Sequence, residues 1–425
     1  MTFSKPKKFD YNLIVIGAGS GGLVSSYIAA ALNAKVALIE KNKMGGDCLN
    51  TGCVPSKALI RSAKIISYIR RYKDFALKNA TVEFEFSDIM KRIQRVIQQI
   101  APHDSIERYT KLGVECIQGE AKILSPFEVQ VNNQILTTKA IVIATGASPL
   151  VPNIPGLENI DYLTSDNIWK LRELPKNLLV LGGGPIGTEL AQSFQRLGAN
   201  VTIVDQEPNI LAREDSDVSK VVADKLQAEG IQLKTGHRAF AFKKNNGQPY
   251  LLAHTQNNEV EIPFDKVLVA LGRKANTSGF GIEDLGIQLT KRHTIAADDY
   301  LATNYPNIFV CGDVTGPYQF THTAAHQAYY ACINALFRPY TSCLPWFIKR
   351  KQLAVDYSAI PWATYTDPEI ATVGLTEKVA KEQNIPYERT TYGIDDLDRA
   401  IVDEENYGFI KVLTQPHSDK ILGAT

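Results

Sequence analysis

The sequence predicts an α/β fold that contains two similar βαβ units and ends in a smaller α+β domain. An apolar strand, a glycine-rich turn, a helix and a second strand follow one another from residue 11, and the same order returns from residue 177. The segment 361–425 is rich in strand-forming residues with polar turns between them. Because the chain has 425 residues and a domain usually has roughly 100–200, we expect several domains.

The first βαβ unit begins with a continuously apolar strand. Residues 11–16 (YNLIVI) are branched and apolar without alternation, which is typical of a strand buried on both faces. The Ala-rich segment 23–32 is predicted as a helix, and 35–40 (KVALIE) as the second strand. Strand, helix and parallel strand in about thirty residues form a βαβ unit.

Its glycine turn predicts a dinucleotide site. The turn has the pattern G-x-G-x-x-G at Gly17, Gly19 and Gly22. The first glycine permits the tight turn, the second lets the backbone approach a pyrophosphate, and the third allows close helix packing. Glu40 ends the second strand, where it can bind a ribose hydroxyl pair.

The second βαβ unit, over 177–205, repeats this pattern with Gly182, Gly184 and Gly187 and ends at Asp205. Two such sites imply two dinucleotide cofactors, one held permanently and one exchanged. A terminal acid favours a free ribose 2′-hydroxyl, and Gln206 and Glu207 offer no cation for a 2′-phosphate. We therefore expect NADH to be used in preference to NADPH.

Several further elements connect these units. Long helices are predicted over 61–72 and 89–112, a proline-rich linker over 149–175, and short apolar strands over 140–145, 266–271 and 308–311.

Composition excludes several other classes of protein. Forty-six basic against 45 acidic residues leave a net charge of +1, which gives no basis for nucleic-acid binding and favours a small-molecule substrate. The sequence has no secretion signal and no run of roughly 18 apolar residues, so we expect a cytoplasmic protein. Six cysteines are too few for a disulfide-stapled scaffold, which makes any pairing more typical of catalysis.

Cys48 and Cys53 lie five residues apart at the start of a predicted helix. Such a pair can close into a strained disulfide, and a nearby cation and helix N-terminus favour a thiolate. The spacing alone fits two unrelated core cysteines better, so the surrounding residues must decide.

Those residues carry a resemblance. The segment Gly45–Lys57 (GGDCLNTGCVPSK) strongly resembles the active-site segment of the class I pyridine nucleotide-disulfide oxidoreductases, which include dihydrolipoamide dehydrogenase, glutathione reductase and mercuric reductase. The resemblance covers nearly the whole chain, because it extends to both glycine patterns and to the tripeptides at 144–146 (ATG), 271–273 (LGR) and 311–313 (CGD).

The resemblance implies an enzyme that passes electrons from NAD(P)H through FAD to a disulfide formed by Cys48 and Cys53. The resemblance also implies that Cys53 is the flavin-proximal thiolate and that Cys48 is the interchange thiol that attacks the substrate. It further implies that Lys57 lies beside the flavin and pairs with Glu189. Further cofactor-binding residues implied in this way are Gly46, Lys57, Ala121, Thr145, Gly146, Gly272, Gly312 and Asp313.

The resemblance also implies a domain order and a homodimer. We expect Rossmann-like FAD-binding segments at 1–160 and 286–345, a Rossmann-like NAD(P)-binding domain at 161–285 and an interface domain at 346–425. The chain stops at Thr425 within what looks like a strand, so we expect this interface domain to be incomplete and without the histidine-glutamate base of the family.

Three alternatives stay open for the substrate. The spelling of 45–57 and of 359–369 (AIPWATYTDPE) is most similar to a mercuric-reductase-like branch, which would take a thiol-bound metal ion. A dihydrolipoamide-dehydrogenase-like enzyme would take a disulfide or dithiol. A flavin NADH oxidase or diaphorase would need no disulfide substrate at all. The cysteine pair argues against this alternative, whereas the missing base favours it.

Two weaker signals are weighed against ordinary explanations. His322 and His326 lie four residues apart on a predicted helix, but no third ligand follows, so we expect no metal site. The segment 337–351 combines Trp346 and Phe347 with three basic residues, and we expect a solvated insertion rather than a membrane contact.

Overall fold

The computed structural model describes residues 3–256, 258–341 and 353–425. The chain forms two compact units, and each unit is built from three separate segments of the sequence. The first comprises Met1–Val54, Val96–Ser148 and Arg273–Tyr357, and the second comprises Pro55–Arg95, Pro149–Gly272 and Ser358–Thr425. The segment 337–351, on which the membrane contact was weighed, lies outside the described residues from 342 onward.

The strands of the first unit are β1 (Tyr11–Ile16), β2 (Val36–Glu40), β3 (Val114–Gln118), β4 (Lys122–Ser125), β5 (Glu128–Val131), β6 (Gln134–Ile143), β7 (Ala147–Pro149), which ends at the first residue of the second unit, and, later in the chain, β16 (Arg273–Ala275) and β17 (Ile308–Val310). Its helices are α1 (Ser20–Ala31), α2 (Gly46–Asn50), α5 (Ile106–Lys111) and α8 (Thr321–Thr341). Helix α3 (Cys53–Arg70) begins in this unit and continues into the second, whereas α4 (Phe86–Ile100) begins in the second and continues into the first.

The central sheet of the first unit has seven strands in the order β3-β2-β1-β6-β5-β4, with β17 also paired to β6. Strands β1, β2, β3, β17 and the end of β6 are parallel, and β4 and β5 add an antiparallel extension. Leu13 and Val15 face one hydrophobic core and Ile14 and Ile16 face another. The prediction that this strand is buried on both faces is therefore confirmed.

The second unit contains three sheets. Its parallel sheet has the order β11-β10-β9-β15-β8, a three-stranded antiparallel sheet follows the order β12-β13-β14, and the C-terminal antiparallel sheet follows β18-β19-β22-β21-β20. The strands are β8 (Tyr162–Leu163), β9 (Asn177–Leu181), β10 (Asn200–Val204), β11 (Gln232–Lys234), β12 (Arg238–Asn245), β13 (Gln248–His254), β14 (Glu259–Pro263), β15 (Lys266–Val269), β18 (Pro361–Thr364), β19 (Ile370–Gly374), β20 (Glu388–Gly393), β21 (Phe409–Thr414) and β22 (Ile421–Ala424). Its further helices are α6 (Pro185–Leu197), α7 (Ser216–Ala228), α9 (Glu377–Glu382) and α10 (Asp398–Val402).

The single long helix predicted over 89–112 is wrong. Helix α4 ends at Ile100, a 3₁₀ turn occupies Ala101–Asp104, and α5 begins afresh at Ile106. Pro102 lies in that turn, where it lacks the N–H that an α-helix interior needs. Ser105 then caps α5, because its hydroxyl accepts a hydrogen bond from the Arg108 N–H at 3.2 Å.

Among the described residues, no helix is both long enough and apolar enough to cross a lipid bilayer.

Candidate active site

The first glycine turn is so tight that it has no room for a side chain at two of its glycines. Gly17 has a φ of +101°, and a Cβ there would lie 2.5 Å from the Ala144 carbonyl oxygen. A Cβ on Gly22 would lie 1.7 Å from the Gly17 carbonyl oxygen, so α1 can approach the end of β1 only with glycine at this position. Gly19 precedes the first residue of α1.

Glu40 ties the end of β2 to this turn. Its Oε2 accepts a hydrogen bond from the Ala18 N–H at 2.6 Å, and its Oε1 accepts one from the Asn42 N–H at 2.7 Å. A carboxylate has about four lone-pair sites, so two remain for a ligand. Gly46 lies alongside, because a Cβ on it would be 2.6 Å from the Gly19 Cα.

The second glycine turn repeats this geometry in the second unit. Gly182 has a φ of +112°, a Cβ there would lie 2.5 Å from the Ala270 carbonyl oxygen, and a Cβ on Gly187 would lie 2.0 Å from the Gly182 carbonyl oxygen. Asp205 Oδ2 accepts a hydrogen bond from the Gly183 N–H at 2.6 Å. The second turn is therefore a copy of the first at the level of individual hydrogen bonds.

Cys48 and Cys53 both lie in the first unit as thiols and not as a disulfide. Cys48 lies in the short helix α2, and Cys53 is the first residue of α3. The hydroxyl oxygen of Thr321 lies 3.2 Å from the Cys53 Sγ. A hydrogen bond between the two thiols, partial burial and the charge of Cys53 together raise the pKa of Cys48 far above its usual range. The two sulfurs therefore lie within hydrogen-bond distance of each other.

Arg273 joins three segments of the first unit. Its guanidinium pairs with the Asp47 carboxylate, lies 3.3 Å from Asp313 Oδ2, and donates to the Ala147 carbonyl oxygen at 2.6 Å. Burial raises the pKa of Asp313, Arg273 opposes that effect, and Asp47 adds to it. Asp47 and Asp313 therefore share one cation.

The loop after β6 is held by Asn276, which the sequence reasoning missed. The Asn276 side-chain amide donates to the Thr145 carbonyl oxygen at 2.8 Å. The backbone carbonyl of Asn276 accepts from the Thr145 hydroxyl at 2.9 Å, and its backbone N–H donates to the Gly146 carbonyl oxygen at 2.9 Å. Gly312 is fixed in a similar way, because its N–H donates to the buried Gln327 side chain at 2.7 Å.

Space for bound ligands remains around these segments. A Cβ built on Gly146, on Gly184 or on Gly272 would meet no atom within 4 Å. Among the described residues, the buried Thr323 hydroxyl in the first turn of α8 has no hydrogen-bond partner. Ala121 differs from the other candidates, because its side chain is packed in the core of the first unit and only its backbone is left for a ligand.

Lys57 and Glu189 lie together in the second unit. Lys57 Nζ is 3.2 Å from Glu189 Oε2, and the lysine side chain is 38% exposed against 8% for the glutamate. Glu189 Oε1 accepts a hydrogen bond from the Tyr365 N–H at 3.0 Å. The Tyr365 ring lies over the same ammonium, 4.2 Å from Nζ to the ring centroid.

One group of acids among the described residues is compact enough to hold a cation: Asp215, Asp217 and Glu377. Lys411 Nζ already lies 2.7 Å, 2.8 Å and 3.4 Å from these three carboxylates, and the lysine side chain is 2% exposed. The protein's own ammonium therefore lies where a cation bound by these acids would lie. His326 Nε2 lies 2.7 Å from the Asp356 carbonyl oxygen, which engages one of the two histidines weighed as ligands.

Residues 11–328 match the family of pyridine nucleotide-disulphide oxidoreductases, and residues 360–425 match the dimerisation domain of the same family. The chain belongs to this family. The resemblance noted in the sequence is thereby confirmed, together with the fold class it implied. The chain is therefore an FAD-containing pyridine nucleotide-disulphide oxidoreductase. The glycine turn occurs twice because the family uses two dinucleotides, FAD and NAD(P)H.

Curated relatives from this family carry two different names. The chain is 34% identical over 415 residues to a mercuric reductase from Staphylococcus aureus. The aligned region covers 98% of this chain and 74% of that relative. It is also 34% identical over 420 residues to a dihydrolipoyl dehydrogenase from Chlamydia pneumoniae, which covers 98% of this chain and 87% of the relative. These identities do not separate the two substrates.

Solved structures of the HOCl-induced flavoprotein disulfide reductase RclA from Escherichia coli share the fold of this pyridine nucleotide-disulphide oxidoreductase. The Cu(II) complex of RclA superposes with a TM-score of 0.82 at 26% identity, covering 97% of this chain and 88% of that chain. A second RclA structure superposes with a TM-score of 0.81 at 26% identity, covering 97% of this chain and 89% of that chain.

The residues present fit the two cofactors of the family. The first glycine turn, Glu40 and the open space at Gly146 suit the pyrophosphate and ribose of one dinucleotide, and the second turn with Asp205 suits those of the other. Backbone N–H groups at the starts of α1 and α6 provide the donors that a pyrophosphate needs.

Proposed function

We propose that this enzyme transfers electrons from NADH to FAD and then to the Cys48–Cys53 pair, which reduces a thiol-bound metal ion or a disulfide. The observation that carries this proposal is the hydrogen bond between the Cys48 and Cys53 thiols, with the Thr321 hydroxyl 3.2 Å from the Cys53 Sγ. Two thiols in hydrogen-bond contact are placed to alternate between a dithiol and a disulfide.

The electron balance requires no other reactant. In the reductive half, NADH and one proton convert the enzyme's disulfide to the dithiol, with release of NAD⁺. In the oxidative half, the dithiol returns to the disulfide as a substrate disulfide takes up two electrons and two protons and becomes two thiols, or as a divalent metal ion gains the two electrons and two protons are released. FAD supplies the hydride acceptor that links the nicotinamide to the thiols.

Each candidate residue has a proposed role in this cycle. Cys53 is the flavin-proximal thiolate and Cys48 the interchange thiol, while Lys57 and Glu189 act as an ion pair beside the flavin. The remaining candidates bind the cofactors: Gly17, Gly19, Gly22, Glu40, Gly46, Ala121, Thr145, Gly146, Gly312 and Asp313 for FAD, and Gly182, Gly184, Gly187, Asp205 and Gly272 for the nicotinamide dinucleotide.

Of the two substrate classes, we place a thiol-bound soft metal ion first. Thiolates are the ligands that soft metal ions prefer, and Cys48 and Cys53 offer two of them. The mercuric reductase relatives and the Cu(II) complex of RclA support this order, while the dihydrolipoyl dehydrogenase relatives support a disulfide or dithiol. NADH is proposed over NADPH because Asp205 stands where a 2′-phosphate would need a cation.

The domain ranges are part of this proposal. Segments 1–160 and 286–345 would bind FAD, 161–285 would bind NADH, and 346–425 would form the interface of a homodimer. The match of 360–425 to the dimerisation domain supports the last assignment.

An anaerobic titration of the purified protein with NADH tests the proposal. A long-wavelength absorbance band at two-electron reduction is expected, because a thiolate at Cys53 would form a charge-transfer complex with the flavin. Cys53→Ser should abolish this band and all disulfide turnover while flavin stays bound. Bleaching of the flavin without the band in the unaltered protein would instead favour an NADH oxidase, which should also survive substitution of both cysteines.

A further inference from the structure

We propose that Tyr365 is a positioning residue for Lys57, whose ammonium it holds against Glu189 by the face of its aromatic ring. The inference rests on the proposed function, in which the Lys57–Glu189 pair serves the flavin. It assigns a second and independent contact to that pair, and it explains why an aromatic side chain that is 40% exposed stands at this position.

The ammonium of Lys57 is bounded by two groups. Glu189 Oε2 lies 3.2 Å away as the ion-pair partner, and the Tyr365 ring lies below the ammonium with its centroid at 4.2 Å. A cation within about 6 Å of a ring centroid is attracted by the negative face of the ring, by about 0.5–1 kcal/mol at an exposed site. Since the Lys57 side chain is 38% exposed, this lower range applies.

The backbone of Tyr365 also acts on the pair. Its N–H donates to Glu189 Oε1 at 3.0 Å, which leaves Oε2 directed to Lys57. Tyr365 therefore contacts both members of the pair, the acid through its backbone and the base through its ring. A substitution at 365 removes only the second contact, because every residue except proline keeps the N–H.

Helix α6 also holds the loop that carries Tyr365 at Asp367, through two further side chains. Gln192 exchanges two hydrogen bonds with the backbone of Asp367, accepting at 2.8 Å and donating at 2.9 Å. Arg196, whose side chain is 6% exposed, donates to Asp367 Oδ2 at 2.8 Å. Glu189, Gln192 and Arg196 thus lie on one face of α6 and fix the loop at two residues, Tyr365 and Asp367.

This support distinguishes Tyr365 from a surface aromatic that happens to be nearby. Lys64 Nζ lies 3.4 Å from Asp367 Oδ1, so the Asp367 carboxylate is held from both sides. The loop consequently has little freedom to withdraw the ring from Lys57. Sequence alone does not reveal this contact, because 308 residues separate the lysine from the tyrosine.

The first test measures the Lys57 side chain directly in the FAD-bound protein. Only a neutral amine reacts with acetic anhydride, so the modification rate of Lys57, relative to that of exposed Lys176, reports how well its ammonium is stabilised. Tyr365→Leu should raise this relative rate about two- to fivefold, the factor that corresponds to the loss of the ring contact. Tyr365→Phe keeps the ring and should restore the original rate.

Tyr250→Leu is the matched control, because Tyr250 is a partly buried tyrosine of the same unit on β13 and has no assigned role at the site. It should leave the Lys57 rate unchanged. An unchanged rate in Tyr365→Leu, or an increase of the same size in Tyr365→Phe, would overturn the proposal.

The second test asks whether Tyr365 acts through Lys57. The rate of flavin reduction by NADH is measured in Tyr365→Leu, in Lys57→Met and in the double variant. If the ring acts only by positioning the lysine, Tyr365→Leu lowers the rate about two- to fivefold in the native background and has no effect once Lys57 is absent. Equal losses in both backgrounds would show a merely structural role and refute the inference.

The two proposals fail in different ways. Absence of the charge-transfer band in the unaltered enzyme would reject the electron path but would leave the acetylation result standing. A normal band in the unaltered enzyme, combined with an unaltered Lys57 rate in Tyr365→Leu, would reject only the role of Tyr365.

Discussion

The carboxylate of Glu40 accepts a hydrogen bond from the backbone N–H of Ala18 at 2.6 Å, across the first glycine turn. Asp205 makes the same contact, at the same distance, with the N–H of Gly183 in the second turn. In both units one oxygen of the acid that ends the second strand holds the middle residue of G-x-G. The other oxygen of each acid accepts a further backbone N–H, from Asn42 and from Glu207. Lone-pair sites remain on both acids, so under the proposed function each acid has a local task and a ligand-binding task.

Asp205→Asn should separate these two tasks in the second unit. An amide keeps an acceptor for the Gly183 N–H but loses the charge that would bind the ribose hydroxyls. Because hydrogen bonds to charged groups contribute about 1.5–3 kcal/mol, we expect the KM for NADH to rise at least about tenfold. Flavin content should remain at one per chain. Steady-state kinetics and the flavin absorbance measure the two quantities.

Glu40→Gln is the matched control for that experiment. It makes the same chemical change in the first turn, so it should lower flavin content and leave the KM for NADH of the flavin-loaded fraction unchanged. If instead Glu40→Gln raised the KM for NADH and Asp205→Asn released flavin, the two turns would have been assigned to the wrong cofactors.

Cys53→Ser should make the Cys48 thiol react faster with an alkylating reagent, although the same substitution abolishes turnover. The largest cause that raises the pKa of Cys48 is its hydrogen bond with the Cys53 sulfur, and burial comes second. Without Cys53 the pKa of Cys48 falls, so a larger fraction is thiolate at any pH below that value. We expect iodoacetamide to alkylate Cys48 at least about tenfold faster at pH 8, since one pKa unit is a factor of ten.

The comparison is with the reduced unaltered enzyme, and peptide mass spectrometry identifies the modified cysteine. The rate at Cys116, a partly buried thiol elsewhere in the first unit, serves as the internal reference. An alkylation rate at Cys48 that stays constant or falls in Cys53→Ser would contradict the Cys53 hydrogen bond as the main cause of the raised Cys48 pKa.

Sequence patterns predicted what depends on neighbours along the chain. The strand 11–16 and both glycine turns could be placed because burial on both faces and tight turns require particular residues locally. The partners of Arg273, Cys53 and Lys57 could not be derived in this way, because Asp47, Thr321 and Tyr365 lie hundreds of residues away. The break in the helix predicted over 89–112 had a local signal in Pro102, which the apolar periodicity around it outweighed.

Arg273→Met should be far more harmful than Asp47→Thr, although both break the same ion pair. Asp313 is largely buried, and its side chain lies 3.3 Å from the Arg273 Nε, so removal of the arginine leaves a buried carboxylate without its cation. Breaking such a pair costs roughly 3 kcal/mol or more. Asp47 is about half exposed, and exposed pairs contribute about 0–1 kcal/mol.

Urea unfolding monitored by flavin fluorescence tests this difference. Asp47→Thr should shift the midpoint little, and it should lower the pKa of Asp313 because it removes a like charge. Arg273→Met should lower the midpoint strongly and release flavin. Similar midpoints for the two variants would mean that Ala147 and Asn276 hold this region without the arginine.

Asp367→Asn should destabilise the second unit in a pH-dependent way. Burial alone would raise the pKa of Asp367, but the charges of Arg196 and Lys64 over-compensate and lower it. A carboxyl group with a lowered pKa in the folded state stabilises the protein above its unfolded pKa, near 3.8, and this stability is lost as the pH falls through the folded value.

At pH 7 we therefore expect Asp367→Asn to cost about 2 kcal/mol, less than a fully unpaired charge because Arg196 keeps Glu229 at 2.6 Å. The difference between variant and unaltered protein should persist down to about pH 4 and shrink below it. Asp161→Asn is the control, since its pair with Lys266 is 82% exposed on the acid side and should contribute less than about 1 kcal/mol at any pH. A cost for Asp367→Asn that stayed constant from pH 7 to pH 3 would show that shape, and not charge, holds the loop that carries Tyr365.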